Sequence, residues 1–245
     1  MNDTIAAIAT PYGSGGIGVI RISGPDAMAV AAQFFSRTRT GAPGSGHLKT
    51  HRVYHGYFTD NGEVIDEILL IPMKGPRSYT AEDVVEIQAH AGTVVLKQIL
   101  EHLLSGGARL AEPGEFTRRA FLNQRIDLTQ AEAVADIINA RSKAALKFAA
   151  AQNSGILKQQ IQEMREQLIR VLSLVEVSID FPDDAPDEYA GSRITADIDP
   201  VMDRCREFIR QHEDACCLKD GIRLAICGKP NVGKSSLMNR LLSRE

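Results

Sequence analysis

The stretch Gly228-Lys229-Pro230-Asn231-Val232-Gly233-Lys234-Ser235 fits the phosphate-loop pattern G-x-x-x-x-G-K-[ST] at every fixed position. The apolar run Ile222 to Cys227 before it predicts a buried strand. Ser235 to Leu242 after it predicts a helix with apolar residues on one face. Strand, glycine loop and helix in this order bring backbone N–H groups to phosphate oxygens. Lys234 would reach the β- and γ-phosphates, and the Ser235 hydroxyl would bind Mg²⁺.

A surface turn with a solvated lysine is the alternative to this phosphate loop, and the flanking strand and helix patterns argue against it. The chain ends at Glu245, one helix after the loop. No strand-borne Mg²⁺ aspartate, DxxG segment or NKxD segment follows the loop. We therefore expect most of the nucleotide domain to lie outside this sequence, and we expect no catalytic residue for hydrolysis within it.

The composition is that of a globular protein, with 44% hydrophobic and 24% charged residues. With a net charge of −3 the protein is not basic overall. Any binding of nucleic acid must therefore use a local basic surface or residues outside this sequence. The four cysteines have no metal-binding spacing and are expected to be reduced, mostly buried thiols of a cytoplasmic protein. No signal peptide or membrane span is predicted.

The first 120 residues predict an α+β domain. Asp60-Asn61-Gly62 between two strand patterns is a strong hairpin signal. In the strand pattern around Val19 to Ser23, Arg21 lies either at a sheet edge or against an anionic or hydrogen-bonding ligand. The predicted strands are 3–10, 19–23, 53–59, 64–71, 82–90 and 108–111, and the predicted helices are 26–35, 93–104 and 115–122.

One loop of this domain is rich in basic residues. Residues 36–50 have the composition of a loop. They carry Arg37, Arg39 and Lys49, with Arg52 nearby, and we expect these side chains to form a solvated surface.

From residue 121 the pattern becomes helical. The capping box Thr129-Gln130-Ala131-Glu132 predicts the start of a helix that runs to about Ala151. Further helices are predicted at 154–179 and 194–215, with apolar stripes that predict a bundle core and with an acidic linker at 181–188 between them. The expected domains are thus 1–120, a helical segment 121–218, and the opening of an α/β nucleotide domain at 219–245.

Several blocks of this sequence resemble the tRNA-modification GTPase family MnmE, also called TrmE. The blocks follow the family's order over nearly the whole chain, and residues 112–140 are the most specific of them. They are DTIAAIATP (3–11), GGIGVIRISGPDA (15–27), SYTAEDVVEIQAH (78–90), EPGEFTRRAFLNQRIDLTQAEAVADIINA (112–140), SIDFPDD (178–184) and GKPNVGKSSLMNRLL (228–242).

The resemblance implies an N-terminal folate-binding domain, related to tetrahydrofolate-dependent one-carbon enzymes, through which the protein forms a homodimer. It implies a helical domain into which the GTPase domain is inserted. With the flavoprotein MnmG (GidA), in a heterotetramer, such proteins add an aminomethyl-type group to carbon 5 of the wobble uridine of certain tRNAs. The implied cofactors are GTP, Mg²⁺, K⁺ and 5,10-methylene-tetrahydrofolate or its 5-formyl form.

The resemblance also implies site residues. Arg21, Glu86 and Arg125 match the folate-contacting positions, although the family usually has lysine where this chain has Arg125. Ala91 stands where the family usually has glycine, and a positive φ there would strain an alanine. Asn231 matches the K⁺ ligand and Ser235 the Mg²⁺ ligand. The implied GTP-binding residues are Asn231, Val232, Gly233, Lys234, Ser235 and Ser236.

Two other functions are compatible with parts of the sequence. The chain could be a folate-binding and dimerisation module without GTPase activity. It could also be a folate-dependent aminomethyltransferase with an accidental phosphate loop, but the blocks 112–140 and 228–242 argue against that assignment.

We predict that the 245-residue chain does not hydrolyse GTP at a useful rate, because it lacks the expected downstream nucleotide motifs. Phosphate release measured in K⁺ and in Na⁺ buffers tests this. Turnover that K⁺ stimulates would contradict the prediction.

Overall fold

The computed structural model describes residues 3–11, 13, 15–41, 43–44, 48–180, 191–220 and 225–242. The chain divides into two compact units, residues 1–134 and 135–245, and each is described by itself.

The first unit is built on a seven-stranded mixed sheet with the strand order β3-β4-β5-β6-β2-β1-β7. All neighbouring strands are antiparallel except β1 and β7, which are parallel. The strands are β1 (Ile5–Ile8), β2 (Ile17–Ser23), β3 (Phe35–Ser36), β4 (Tyr54–Asp60), β5 (Glu63–Met73), β6 (Val84–His90) and β7 (Arg109–Leu110). Helices α1 (Ala27–Ala32), α2 (Thr93–Ser105) and α3 (Glu115–Leu122) complete the unit, which is the predicted α+β domain.

The core lies on one face of this sheet. Ile20, Ile22 and Ile87 are fully buried there and belong to one cluster with Ile99 and Leu103 of α2. Burying a side chain of this size contributes about 1.5–3 kcal/mol. Because side chains alternate along a strand, Arg21 on β2 and Glu86 on β6 are placed on the opposite face.

The hairpin prediction at Asp60-Asn61-Gly62 is confirmed. Antiparallel strands β4 and β5 are joined by Asn61 and Gly62, which have φ angles of 47° and 86°. Two consecutive positive φ angles are typical of a type I′ turn, whose twist matches that of the flanking strands.

One local prediction in the first unit is wrong. The helix expected to reach Phe35 ends at Ala32, because Phe35 and Ser36 form β3 and pair with β4. The neighbouring Phe34 ring stacks on Phe58 at 5.3 Å between ring centres. Ala91 is not among the described residues with positive φ, so the condition under which an alanine would be strained there is not met.

An ion network with a buried centre, which we call the buried ion network, fixes α3 to the sheet. It is formed by Glu115 and Arg119 at the centre, with Glu82 and the half-exposed Asp3 and Arg109 around them. The side chains of Glu115 and Arg119 are completely buried. Arg119 Nη2 donates to Asp3 Oδ1 at 2.9 Å and to Glu115 Oε1 at 3.1 Å, and Nη1 donates to Glu82 Oε2 at 3.2 Å. Arg109 donates to both Glu115 oxygens, at 2.7 and 3.1 Å. The network joins the start of the chain, the segment before β6, and α3.

The second unit is helical, with α5 (Lys143–Asn153), α6 (Ile156–Asp180), α7 (Gly191–Asp220) and α8 (Lys234–Leu241), while α4 (Leu128–Asn139) crosses the boundary between the units. The predicted long helix up to Ala151 is therefore two helices, α4 and α5. Ser142 caps α5, because its Oγ accepts the N–H of Ala145 at 3.1 Å.

The capping box at the start of α4 lies two residues before the predicted position. Asp127 Oδ1 accepts the N–H of Gln130 at 3.0 Å, and Gln130 Oε1 accepts the N–H of Asp127 at 3.1 Å. This reciprocal pair satisfies two backbone donors and makes Asp127, rather than Thr129, the first residue of the box.

The apolar stripes of the second unit are only partly buried. Met164 and Val171 on α6 and Val201 on α7 are buried, whereas Ile161 and Leu168 are 44% and 45% exposed. α7 has Pro200 in its interior and is longer than predicted.

Three further predictions concern the cysteines, the strand before the phosphate loop and the linker. Cys205 and Cys227 are free but exposed, so the expectation of mostly buried thiols is wrong for these two. Residues 225–227 of the predicted strand 222–227 are not in a strand, and the rest of it lies outside the described residues. The predicted linker 181–188 also lies outside them.

None of the described helices has the length and apolar character needed to cross a membrane.

We predict that Glu115→Gln destabilises the first unit by about 3 kcal/mol or more at neutral pH, because it removes one partner from a buried ion pair. Hydrogen bonds from Arg109 lower the pKa of Glu115 to about 2, against an ordinary value of 4.5. A carboxylate with a lowered folded-state pKa stabilises the fold above its unfolded pKa, and this contribution is lost as the pH falls from about 4.5 towards 2.

Urea denaturation of the parent and of Glu115→Gln at pH 6 and pH 3 measures both effects. The variant should lose part of the parent's pH dependence in this window. Glu101→Gln is the control, since Glu101 pairs on the surface with Lys97 at 3.7 Å. Equal pH dependence in the parent and in Glu115→Gln would contradict the prediction.

Candidate functional site

Arg21 and Glu86, both expected to be site residues, form an ion pair with each other on the sheet face opposite the core. They lie directly opposite in the β2–β6 register. Arg21 Nε and Nη2 approach Glu86 Oε1 at 2.9 and 2.7 Å. Their side chains are 24% and 21% exposed, so the pair is sheltered but still reachable by a ligand.

Two aromatic rings contact the Arg21 guanidinium. Its central carbon lies 4.9 Å from the centre of the Tyr79 ring and 5.6 Å from that of Phe116. The guanidinium of Arg125 also lies against Tyr79, at 5.2 Å. The structure thus brings Arg21 and Arg125 together on the Tyr79 ring, with Glu86 paired to Arg21. We call this set of residues, with Phe116, the Tyr79 cluster.

Sequence reasoning missed Tyr79 and Phe116, although both lie in blocks that carry the family resemblance. Tyr79 comes from the loop before β6 and Phe116 from α3. The Tyr79 hydroxyl is hydrogen-bonded to Thr117 Oγ1 of α3 at 2.9 Å. The contacts of Tyr79 and Phe116 with Arg21 depend on where α3 packs in the folded unit, and the periodicity of the sequence does not predict that position.

Arg125 reaches the cluster through the turn that follows α3. Its N–H donates to Ala120 O at 2.9 Å, and Gln124 before it has a φ of 59°. Asn123 Nδ2 donates to the carbonyl of Thr80, next to Tyr79, at 2.7 Å. These bonds hold the turn beside the loop of Tyr79, so the position of Arg125 follows from the position of α3.

The cluster offers acceptors, cations and a flat apolar surface. Arg21 Nε donates to Glu86 Oε1 and Nη2 lies closest to the same oxygen, so Oε2 accepts no hydrogen bond from the described residues and can accept ligand N–H groups. The two guanidinium groups can donate to carbonyl or carboxylate oxygens. A planar, polar molecule with N–H donors and negative charge therefore suits the cluster.

A cavity of about 350 Å³ lies on the same sheet face and is lined by Ile17, Gln88 and His90. Gln88 and His90 follow Glu86 on the same side of β6. Asp66 Oδ1 contacts His90 Nδ1 at 2.7 Å, and Asp66 Oδ2 accepts the His90 N–H at 2.8 Å. The hydrogen bond to Asp66 raises the pKa of His90. The cavity continues the same face of β6 beyond the ion pair.

The phosphate-loop pattern in the second unit forms a turn that leads into α8. Asn231 and Gly233 have positive φ angles of 62° and 91°, and α8 begins at Lys234. Gly233 has no side chain to cap the helix, so the first N–H groups of α8 keep their capacity to bind an anion. Lys234 Nζ donates to the carbonyls of Gly228 and Lys229 at 3.1 and 2.7 Å.

The turn and the first three residues of α8 contain all six residues expected to bind GTP, and most of them are exposed. The loop geometry suits phosphate oxygens, because it combines a helix N-terminus with a lysine that already lies across the loop. Mg²⁺ chemistry at Ser235 and K⁺ chemistry at Asn231 would require oxygen ligands, which both side chains supply.

Two family models cover most of the chain. The model of the GTP-binding protein TrmE N-terminus matches residues 4–125, and the model of the MnmE helical domain matches residues 128–240. The chain belongs to the MnmE family. Its Tyr79 cluster lies in the first matched segment and its phosphate loop in the second.

Curated relatives agree with this assignment. The chain is 47% identical to a tRNA modification GTPase MnmE of Geobacter sulfurreducens and 45% identical to that of Carboxydothermus hydrogenoformans. Both alignments cover 100% of this chain and 53% of the relative. A relative of the same name from Caldicellulosiruptor saccharolyticus is 47% identical over 99% of this chain and 53% of its own length. The chain thus spans about half the length of the curated relatives it matches.

Proposed function

We propose that this MnmE-family chain supplies the folate-binding and phosphate-binding parts of a GTPase that modifies tRNA. The modification is the addition of an aminomethyl-type group to carbon 5 of the wobble uridine, together with MnmG. The observation that carries the proposal is the packing of Arg21 and Arg125 on the Tyr79 ring, with Glu86 paired to Arg21. The family membership and the names of the relatives support the tRNA-modification GTPase assignment.

The Tyr79 cluster is the proposed folate site. The Glu86 carboxylate would accept the paired N–H groups of the pterin ring as charge-assisted hydrogen bonds. Arg21 and Arg125 would hold the pterin carbonyl or the carboxylates of the ligand, and Tyr79 would offer a flat surface. The proposed ligand is 5,10-methylene-tetrahydrofolate, which would supply the one-carbon unit, or 5-formyl-tetrahydrofolate.

The phosphate loop is the proposed GTP site. The N–H groups at the start of α8 and the Lys234 ammonium would bind phosphate oxygens. Ser235 would hold Mg²⁺, and Asn231 would hold K⁺ through its side-chain oxygen. Val232, Gly233 and Ser236 complete the loop; the residues that hydrolyse GTP are not among them.

The proposed partners are a second copy of the protein, bound through the N-terminal domain, MnmG in a heterotetramer, and tRNA. The proposed compartment is the cytoplasm. The domain limits that follow from the sequence, 1–120, 121–218 and 219–245, are part of the same proposal.

If the Tyr79 cluster is the folate site, substitutions in it should selectively weaken folate binding. Arg21→Ala, Glu86→Gln and Arg125→Ala should each bind 5-formyl-tetrahydrofolate at least about tenfold more weakly, because each removes a charge-assisted hydrogen bond. Arg125→Lys should bind within a few-fold of the parent, since it keeps the charge. Isothermal titration calorimetry measures these affinities.

Lys97→Ala and Glu101→Gln are the matched controls for this experiment, since both residues are exposed on α2. They should bind as the parent does. Parent-like affinity in both Arg21→Ala and Glu86→Gln would show that the folate site is elsewhere.

If the phosphate loop binds GTP, substitutions of Lys234 and Lys229 should differ in their effect on GTP affinity. Lys234→Ala should abolish detectable binding of a fluorescent GTP analogue, because the phosphates lose their cationic donor. Lys229→Ala should have little effect, because only the backbone carbonyl of Lys229 contacts Lys234. The comparison is made in a version extended to the length of the relatives, and GTP binding that survives Lys234→Ala would refute the assignment.

A further inference from the structure

A group of basic side chains lies at the edge of the first unit formed by the loops before β4 and after β5. We call Arg37, Lys49, Arg52, Lys74 and Arg77 the basic edge, and all five are exposed. The sequence contains no acidic residue between Asp26 and Asp60, and none between Glu67 and Glu82. These two segments supply all five cations, in a protein whose overall net charge is −3.

The two loops are joined by hydrogen bonds at His51 and Thr50. The His51 N–H donates to the carbonyl of Pro72 at 2.7 Å, and the Lys74 N–H donates to Thr50 Oγ1 at 2.8 Å. His51 Nε2 lies 2.8 Å from the carbonyl of Arg77 and must donate, because a carbonyl oxygen only accepts. Lys49 and Arg52, on either side of this pair, are therefore held next to Lys74 and Arg77.

Arg37 joins the same surface through Tyr54. Its guanidinium carbon lies 5.1 Å from the centre of the Tyr54 ring. The Tyr54 hydroxyl accepts the N–H of Lys49 at 2.6 Å. The basic edge is thus one connected surface, and its backbone is fixed even at His51, where φ is 57°.

The cations of the basic edge are not neutralised by the fold. Within the described ranges, none of the five takes part in an ion pair. Asp83 does contact the loop after β5, but its Oδ1 accepts the N–H of Gly75 at 2.9 Å. Like charges held together without counterions repel one another, and a bound polyanion would relieve this repulsion.

We infer that the basic edge binds the phosphate backbone of RNA. Spaced, exposed lysines and arginines on a fixed surface are the usual means of binding a chain of phosphates. The centres of protein–protein interfaces, by contrast, are depleted in charged residues and enriched in aromatic and apolar ones. The identity of this RNA as tRNA rests on the proposed function; the location and the residues come from the structure.

The test compares two double charge reversals in the intact 245-residue chain. Lys74→Glu/Arg77→Glu changes the basic edge, and Lys143→Glu/Lys147→Glu changes exposed residues of α5 by the same net charge. The hydrogen bonds that fix the loops use backbone atoms of Lys74 and Arg77, so these substitutions keep them. Binding of a fluorescent tRNA transcript is measured by anisotropy at several salt concentrations.

We expect the basic-edge variant to bind tRNA at least about tenfold more weakly and the α5 variant to bind within about twofold of the parent. The slope of log affinity against log salt should fall by about two for the basic-edge variant, because two side chains no longer neutralise a phosphate. A second basic-edge variant, Lys49→Glu/Arg52→Glu, should lose tRNA affinity to a similar extent. It takes the place of Lys74→Glu/Arg77→Glu if that variant does not fold.

Several results would overturn the inference. One is that the parent does not bind tRNA at all. Another is that the basic-edge variant binds tRNA as tightly as the parent, and a third is that the two double variants are weakened equally. Equally tight binding of poly-glutamate by the parent would assign the surface to an acidic protein instead. Folate affinity measured in the same preparations shows separately whether the proposed function fails.

Discussion

The ion pair between Arg119 and Glu115, inside the buried ion network, is the interaction on which the first unit depends. Charged side chains are rarely fully buried, because desolvation costs several kcal/mol per ion unless partners compensate. Here Arg119 has partners in Asp3, Glu82 and Glu115. The network therefore joins three distant segments at one point, and α3 has one well-defined position on the sheet.

The Tyr79 cluster follows from this constraint. Phe116 lies on α3, Arg125 is held in the turn behind it, and Thr117 bonds the Tyr79 hydroxyl. Only Arg21 and Glu86 are placed by the sheet alone, through the β2–β6 register. A ligand at this cluster would therefore contact two parts of the fold, and the buried ion network keeps them together. Arg119 thus positions the Tyr79 cluster without being part of it.

The sequence predicted features that local rules control. Asn61-Gly62 requires a turn with two positive φ angles. Alternation identified Arg21 as a charged side chain within a strand, but the β2–β6 register that sets it opposite Glu86 was not predicted. The family resemblance supplied the candidate residues but not their contacts. Features that depend on tertiary packing were missed: the pairing of Arg21 with Glu86, the rings of Tyr79 and Phe116, and strand β3, which forms because β4 lies beside it. The break between α4 and α5 was also missed, although Ser142 is a good capping residue.

Four arginines of the first unit fall into two classes. We propose that Arg21 and Arg125 contact the ligand, whereas Arg109 and Arg119 only hold the fold. The most direct test follows the side-chain Nε–H resonances of these four residues by NMR while 5-formyl-tetrahydrofolate is added. We predict shifts for Arg21 and Arg125 and unchanged signals for Arg109 and Arg119. Shifts at Arg109 and Arg119 with Arg21 and Arg125 unchanged would contradict this division.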